Sequence, residues 1–193
     1  MERKLKNSEK TKKKIQSSII ELLNQREYEK ISVVDISAAA EISRTTFYLF
    51  YSSKDELIRD IFDLLLCEYM ETFVQSLRIH EEVPLAIYEK AFKDLIRYEH
   101  TLKTLFNLNF QGFSPYLVME KSIQKAVLDF IVKNGYTMKY GGSIELLSSI
   151  YAADVMATVK WWIYNYKEYD ILFIKNMIFD NNHKGLFSLL RKV

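Results

Sequence analysis

The sequence predicts an all-α protein with a small N-terminal three-helix head, which contains a helix-turn-helix, and a C-terminal helical bundle. The chain has 193 residues, of which 49% are hydrophobic, and it contains only 5 Gly and 2 Pro. This composition is typical of packed helices that are joined by short connections. A patterned segment at residues 32–57 supplies the second observation. We place the head at residues 1–53 and the bundle at residues 54–193.

Residues 32–57 predict two short helices and the start of a third, and they read SVVDISAAAEISRTTFYLFYSSKDEL. Ser32 can cap the first helix, with Asp35 three residues further on, and Ser43 can cap the second. Helices of about two turns are marginal by themselves, so we expect flanking helices to hold them. The alternative interpretation is that these are ordinary capped connectors.

Small and apolar side chains at helical spacing let the two short helices cross closely. Ile36, Ala39 and Ala40 form one face of the first helix. Ile42 and Phe47 are expected to pack the second helix back onto the first. Ser53 and Glu56 form a capping box that opens the third helix. The longer predicted helices cover about residues 11–25, 54–79, 84–98, 101–109, 115–134, 143–166 and 170–191.

Side chains at the start of the second short helix suit a DNA groove and its phosphates. In a helix-turn-helix, the N-terminal part of the second helix meets base edges in the major groove. Arg44 is the first candidate for base reading, because its planar guanidinium group can bond guanine in a bidentate fashion. Thr45 and Thr46 can touch a thymine methyl group or a phosphate oxygen.

Residues 1–14 form a basic arm, with seven Lys or Arg residues against two Glu, although the whole chain carries a net charge of only +2. Lysines are unfavourable at a helix N-terminus. Beside phosphates, however, they release counterions and add sequence-independent affinity. The arm therefore favours contact with a nucleic acid, and the alternative is a solvated, frayed terminus.

Residues 32–57 resemble the helix-turn-helix of the TetR family of bacterial transcription regulators. The family pattern runs Ile-Ala-x-x-Ala-Gly-Val-Ser, then an aliphatic or aromatic residue, Tyr and Lys-x-x-Leu. Glu41 departs from it where the family prefers Gly, which suits a left-handed backbone, and Phe50 departs where a polar residue is common. The matching residues are Ile36, Ala40, Ile42, Ser43, Phe47, Tyr48, Lys54 and Leu57.

The resemblance implies a regulator, in the first instance a repressor, that binds a palindromic operator in double-stranded DNA as a homodimer and is released by a small-molecule ligand in the C-terminal bundle. It also implies that Tyr48 and Lys54 contact phosphates that fix the register, with Ser43 and Ser32 as weaker candidates. The alternative is a regulator or activator of the same fold that a protein partner controls. No cofactor is expected.

Apolar residues cover several faces of the last two predicted helices, and a helix that is apolar on most sides is buried on most sides. In a bundle of this size such burial predicts a partner surface. The simplest arrangement is a two-fold homodimer in which the last two helices of each protomer pair with those of the other.

Aromatic and polar side chains of the bundle are candidates for a site that takes a small apolar or aromatic effector. The alternative is that the aromatic side chains are plain core. Asp154 stands alone in an apolar run, so it needs a cationic ligand, an Arg or Lys across the dimer, or water as its partner. The candidate residues are Met70, His100, Phe106, Phe110, Tyr116, Tyr151, Asp154 and Trp161.

Patterns typical of enzymes, metal centres and membrane proteins are absent from the sequence. His80, His100 and His183 are widely spaced, and no Gly-rich phosphate loop occurs. No apolar run reaches the roughly 18 residues of a membrane helix, and no signal peptide is recognised. The single cysteine, Cys67, fits a reducing compartment. We therefore expect a cytoplasmic protein that is not an enzyme.

Overall fold

The computed structural model describes residues 2–77 and 84–193, without the side chains of residues 2–6, 179 and 183. The described chain is mainly helical and divides into two compact units, Met1–Leu65 and Leu66–Val193. The predicted all-α class is confirmed. The predicted boundary after residue 53 stays a prediction.

The first unit contains two short helices between two long ones in the order of the chain. The basic arm is part of the first long helix, which begins well before the predicted start at residue 11. The elements are α1 (Glu2–Leu23), a 3₁₀ turn (Tyr28–Lys30), α2 (Val33–Ala39), α3 (Arg44–Tyr48) and α4 (Lys54–Ser76). The fully buried side chains include Ile15, Ile19, Ile36, Phe47, Leu57 and Ile58.

The predicted side-chain caps of α2 and α3 are confirmed. The Ser32 hydroxyl accepts a hydrogen bond from the Asp35 backbone N–H, and the Asp35 carboxylate accepts one from the Ser32 backbone N–H at 2.9 Å. The Ser43 hydroxyl accepts from the Thr46 backbone N–H at 3.0 Å. Both short helices therefore begin where local hydrogen bonds satisfy their free N–H groups.

The cap of α4 differs in one bond from the predicted capping box. The Ser53 hydroxyl accepts from the Glu56 backbone N–H at 3.1 Å, as expected. The Glu56 carboxylate, however, accepts from the backbone N–H of Ser52 at 2.6 Å. The Glu56 carboxylate therefore bonds the residue before the N-cap, whereas the predicted capping box uses the N–H of Ser53 itself.

The contact face of α2 differs in one residue from the prediction. Ile36 and Ala40 are buried, as is Phe47 of α3. Ala39 was expected on this face, but it is exposed. Neighbouring residues are about 100° apart around a helix, so the turn that brings Ala40 inward carries Ala39 away.

The turn between α2 and α3 places Glu41 in the left-handed backbone region, with a φ of 53°. Its backbone N–H donates to the Ala38 carbonyl at 3.1 Å. The Ile42 N–H donates to the Ser37 carbonyl at 3.0 Å, which completes a Schellman motif. The position therefore has the conformation that favours glycine, although glutamate occupies it.

Glu41→Gly is expected to stabilise the first unit by about 0.5–1 kcal/mol, because glycine adopts a positive φ without the Cβ clash of other residues. The Lys14–Glu41 ion pair is 3.2 Å long and exposed, so its loss matters little. Glu41→Gln is the matched control, because it removes the charge and keeps the side chain. Urea unfolding measures both variants, and an equal gain in the two would assign the effect to charge instead of backbone strain.

The Asp60 carboxylate on α4 accepts hydrogen bonds from α1 and from the segment that follows α3. Lys12 Nζ donates to Oδ1 at 3.0 Å, and Gln16 Nε2 donates to Oδ2 at 2.9 Å. The Tyr51 hydroxyl donates to Oδ2 at 2.7 Å. Burial raises the pKa of Asp60, but these hydrogen bonds outweigh it and hold the pKa below its ordinary value.

Asp60→Asn is expected to cost about 1–2 kcal/mol of stability near neutral pH, because the hydrogen bonds lose their charged acceptor. A carboxylate whose pKa is lower in the folded than in the unfolded state stabilises the fold above the unfolded pKa and loses that effect as the pH falls through the folded pKa. The difference between wild type and variant should therefore begin to shrink below about pH 4 and disappear below the folded pKa of Asp60. Urea unfolding at a series of pH values measures this, and a difference that persists unchanged in acid would contradict the assignment.

The described part of the second unit contains the end of α4 and five further α-helices. The side chains of Ser114, Ser143 and Asp170 cap the helices that begin at residues 115, 144 and 171. The predicted helix over residues 101–109 begins and ends earlier, as α6. The helices are α5 (Leu85–Arg97), α6 (Glu99–Leu105), α7 (Pro115–Lys133), α8 (Ile144–Asn165) and α9 (Ile171–Ile178).

The prediction of one final helix over residues 170–191 is wrong. α9 ends at Ile178, and a π-helical stretch (Phe179–Gly185) and a 3₁₀ turn (Leu186–Leu189) follow it. The last residues form β2 (Leu190–Lys192), which pairs antiparallel with β1 (Tyr136–Met138). The apolar periodicity indicated a helix to residue 191. Gly185 disfavours a helix there, and the last residues pair with a distant strand instead.

Candidate nucleic-acid interface and ligand cavity

α3 presents polar side chains to solvent while one aromatic side chain anchors it. Among the five residues of α3, all of them described, Phe47 alone is buried. Arg44 and Thr45 are exposed, and Tyr48 keeps 49% of its surface exposed. The outer face of α3 therefore carries the guanidinium and hydroxyl groups that base edges and phosphates can bind.

Three further residues of the predicted interface make local hydrogen bonds. The Ser43 and Thr46 hydroxyls bond each other at 2.8 Å, and either can be the donor. The Ser32 hydroxyl donates to the Asp35 carboxylate at 2.6 Å. A hydroxyl has a single proton to donate, so Ser32 would have to give up this bond to donate to a phosphate. The DNA contacts of Ser32, Ser43 and Thr46 stay predictions.

Lys54 is tied to the segment before α2. Its Nζ donates to the carbonyl oxygens of Tyr28 at 2.8 Å and Ile31 at 2.9 Å. It also lies 4.1 Å from the centroid of the Tyr28 ring, whose hydroxyl bonds the Asp55 carboxylate. An ammonium group has three donors, so one is left for the predicted phosphate contact. The sequence did not reveal this structural role of Lys54.

The basic arm contains ion pairs as well as free surface charge. Lys12 pairs with Asp60 at 3.0 Å and Lys14 pairs with Glu41 at 3.2 Å. The Lys14–Glu41 pair is largely exposed, so it contributes little and can exchange for a phosphate. The Lys12–Asp60 pair is half-buried and belongs to the hydrogen-bond cluster of Asp60. Lys13 is exposed on the same helix.

A cavity inside the second unit lies among α4, α5, α8 and α9, and we call it the bundle cavity. Its volume is about 40 Å³, which leaves room for a few water molecules. No Lys, Arg, His, Asp or Glu occurs among the described residues that line it. The lining consists of Tyr69, Thr72, Phe73, Ser76, Ile87, Tyr88, Ala91, Phe92, Leu95, Tyr151, Val155, Val159 and Ile178.

Of the eight predicted ligand-binding residues, Tyr151 alone is among the described residues that line the bundle cavity. Phe106 packs against Tyr116, with ring centroids 5.7 Å apart. Trp161 is 43% exposed and His100 is exposed. The roles of these four residues in binding an effector stay predictions without support from the cavity.

The other three predicted ligand-binding residues also have different surroundings. Asn182 Nδ2 donates to the Asp154 carboxylate at 3.3 Å, so an amide is a partner of this acid. Burial raises the pKa of Asp154, and hydrogen bonds from Asn182 and Asn181 oppose that shift. Met70 is half-buried on α4, and Phe110 packs against a neighbouring ring in the turn before α7.

Sequence reasoning missed most of the cavity wall, including Thr72, Tyr88 and Phe92. The apolar spacing of Tyr88, Phe92 and Leu95 on α5 could have indicated an inward face. Periodicity does not distinguish a side chain that borders a cavity from one that packs in the core, because both point inward.

Metal and membrane sites are not found in the described part of the chain. Within it, no three His, Cys, Asp or Glu side chains come together as a metal-binding group. His80 and the side chain of His183 lie outside the described residues. None of the described helices combines the length and apolar character that crossing a membrane requires.

Comparisons with known proteins agree with this geometry. The sequence model of the family "Bacterial regulatory proteins, tetR family" matches residues 15–61, which include α2 and α3. The chain is 21% identical over 180 residues to "Fatty acid metabolism regulator protein" of Bacillus subtilis (strain 168), covering 88% of this chain and 92% of that protein.

Solved structures share the fold over nearly the whole chain. One is a TetR transcriptional regulator from Streptococcus agalactiae 2603V, with a TM-score of 0.63, 22% identity, and coverage of 91% of this chain and 97% of that one. Another is NalD, the secondary repressor of the MexAB-OprM multidrug efflux pump in Pseudomonas aeruginosa, with a TM-score of 0.68, 14% identity, and coverage of 93% and 97%. Residues 15–61, which include the helix-turn-helix of α2 and α3, therefore match the tetR family of bacterial regulatory proteins, and the chain shares the fold of a solved TetR transcriptional regulator.

Proposed function

We propose that the protein is a repressor that binds a palindromic operator as a homodimer and is released when a small molecule enters the bundle cavity. The observation that carries this proposal is the exposure of Arg44, Thr45 and Tyr48 on a helix that Phe47 anchors. NalD is named a repressor, which supports the sign of regulation. The proposed site of action is the cytoplasm.

An exposed apolar stripe on α8 supports the homodimer. Its members recur every three or four residues, so they share one helix face. Leu172, Phe173 and Met177 add exposed apolar surface on α9. Two-fold pairing of these helices would bury both surfaces and supply two copies of α3 for a palindrome. The stripe consists of Leu146, Ile150, Ala153, Ala157, Trp161 and Tyr164.

The name of the Bacillus subtilis relative suggests which class of genes this protein regulates. The Bacillus subtilis protein is called a fatty acid metabolism regulator, so genes of fatty acid metabolism are the first targets to examine. The second candidate is a regulator or activator that a protein partner controls. The small volume of the bundle cavity, about 40 Å³, favours that candidate unless the cavity opens.

Selection of binding sites from random DNA, followed by sequencing, tests the proposal. The purified protein should recover two inverted half-sites with a fixed spacing. Recovery of a single half-site would contradict the homodimer, and recovery of no motif would contradict sequence-specific binding. Adding small-molecule and protein fractions to the recovered complex then separates the two candidates, because only one kind of fraction should release the DNA.

A further inference from the structure

We propose that the bundle cavity takes an electrically neutral ligand, namely an apolar chain or ring with one hydroxyl or carbonyl group that hydrogen-bonds to Thr72. An ionised carboxylate is excluded. The inference rests on the proposed function, because it names the chemical class of the effector. Two observations support it: the residues that line the cavity, and the buried Thr72 hydroxyl, which has no hydrogen-bond partner among the described residues.

The described wall of the bundle cavity offers hydrogen bonds but no countercharge. Its polar side chains are the hydroxyl-bearing Tyr69, Thr72, Ser76, Tyr88 and Tyr151. Burial raises the pKa of Tyr69 and of Tyr151, so both phenols are neutral at physiological pH. A carboxylate in this cavity would lose its hydration without gaining an ionic partner, which strongly disfavours it.

Thr72 is the hydroxyl that such a ligand can satisfy. The residue is 2% exposed, and its Oγ1 has no hydrogen-bond partner among the residues that the structure describes. A buried hydroxyl without a partner destabilises the fold. A ligand atom that pairs with Thr72 removes this cost, so the cavity favours ligands with a hydrogen-bonding group at that point.

Ser76 provides an internal comparison on the same wall. It lies one helical turn further along α4 and also lines the bundle cavity. Its hydroxyl already donates to the Phe73 carbonyl at 2.7 Å. The Thr72 hydroxyl therefore remains available to hydrogen-bond a ligand, whereas the Ser76 hydroxyl already donates its proton within α4.

The volume of the cavity links ligand binding to a structural change. At about 40 Å³ the cavity holds a few water molecules, so an apolar chain must first widen it. Tyr69, Thr72, Phe73 and Ser76 of α4 form one wall, and residues of α5 face them. A ligand that enters favours a conformation in which α4 and α5 lie further apart.

Calorimetric titration of the full chain with 1-octanol and with octanoate near neutral pH tests the inference. These probes share one chain length and differ in charge. We expect 1-octanol to bind at least about tenfold more tightly than octanoate. Thr72→Val should weaken binding of 1-octanol by about 5- to 10-fold, because one buried hydrogen bond is lost. Ser76→Ala should weaken binding less than Thr72→Val does, because the Ser76 hydroxyl already donates to the Phe73 carbonyl.

Stability measurements separate lost binding from misfolding. Thr72→Val removes an unpaired hydroxyl and keeps the shape, so its thermal midpoint without ligand should equal or exceed that of wild type. Equal or tighter binding of octanoate, equal losses in the two variants, or absence of 1-octanol binding would each overturn the inference. If octanoate alone releases the operator, the inference fails while the proposed function stands. If no operator is selected at all, the proposed function itself fails.

Discussion

Phe47→Ala is expected to destabilise the first unit by about 3–5 kcal/mol and to abolish binding to the operator. Phe47 is fully buried and lies against Tyr48 and Tyr51, with ring centroids 5.5 Å and 5.9 Å away. A helix of five residues has almost no stability of its own, so α3 depends on this anchor. Its loss should disorder α3 and with it the side chains that are proposed to bind DNA.

Hydrogen exchange of the amides in α2 and α3 measures this effect directly. Trp161 and Trp162 both lie in the second unit, so their emission reports on that unit and should not change. Leu49→Ala is the matched control, because Leu49 is 79% exposed and its truncation should cost less than about 0.5 kcal/mol. Full protection of α3 in Phe47→Ala would show that the anchor lies elsewhere.

Arg44→Ala is expected to lower the affinity for the selected operator by about 10- to 100-fold and to relax the preference at one base position in each half-site. Arg44 is exposed at the first position of α3, so its removal leaves the packing of Phe47 intact. The variant should therefore lose affinity for the operator and keep its folding stability.

Repeating the site selection with Arg44→Ala tests this expectation, and Lys13→Ala is the control. Lys13 is an exposed cation on α1, outside α3. Its removal should weaken binding to all sequences alike and lower the slope of log affinity against log salt by about 1. If Arg44→Ala recovers the same motif with unchanged preference at every position, Arg44 does not read a base.

Features that depend on neighbouring residues could be predicted from the sequence. The caps at Ser32 and Ser43 form as expected, because each joins groups three residues apart. The left-handed turn at Glu41 also follows from a local pattern. Family resemblance added the expectation of a DNA-binding helix-turn-helix, and the tetR family model matches residues 15–61.

Features that join distant residues required the tertiary structure. The Lys54 ammonium group binds two carbonyls more than twenty residues earlier, and Asp154 is bonded by Asn182. The end of α9 and the strand pair of β1 and β2 depend on contacts of the same kind.

These two kinds of feature differ in the range of the interactions that form them. The sequence by itself determined the all-α class and the capped starts of α2 and α3, because hydrogen bonds and apolar spacing within one or two turns decide them. The tertiary structure alone decided which inward side chains border the bundle cavity. Thr72, Tyr88 and Tyr151 come from three different helices, and only packing decides which inward residues meet at a void.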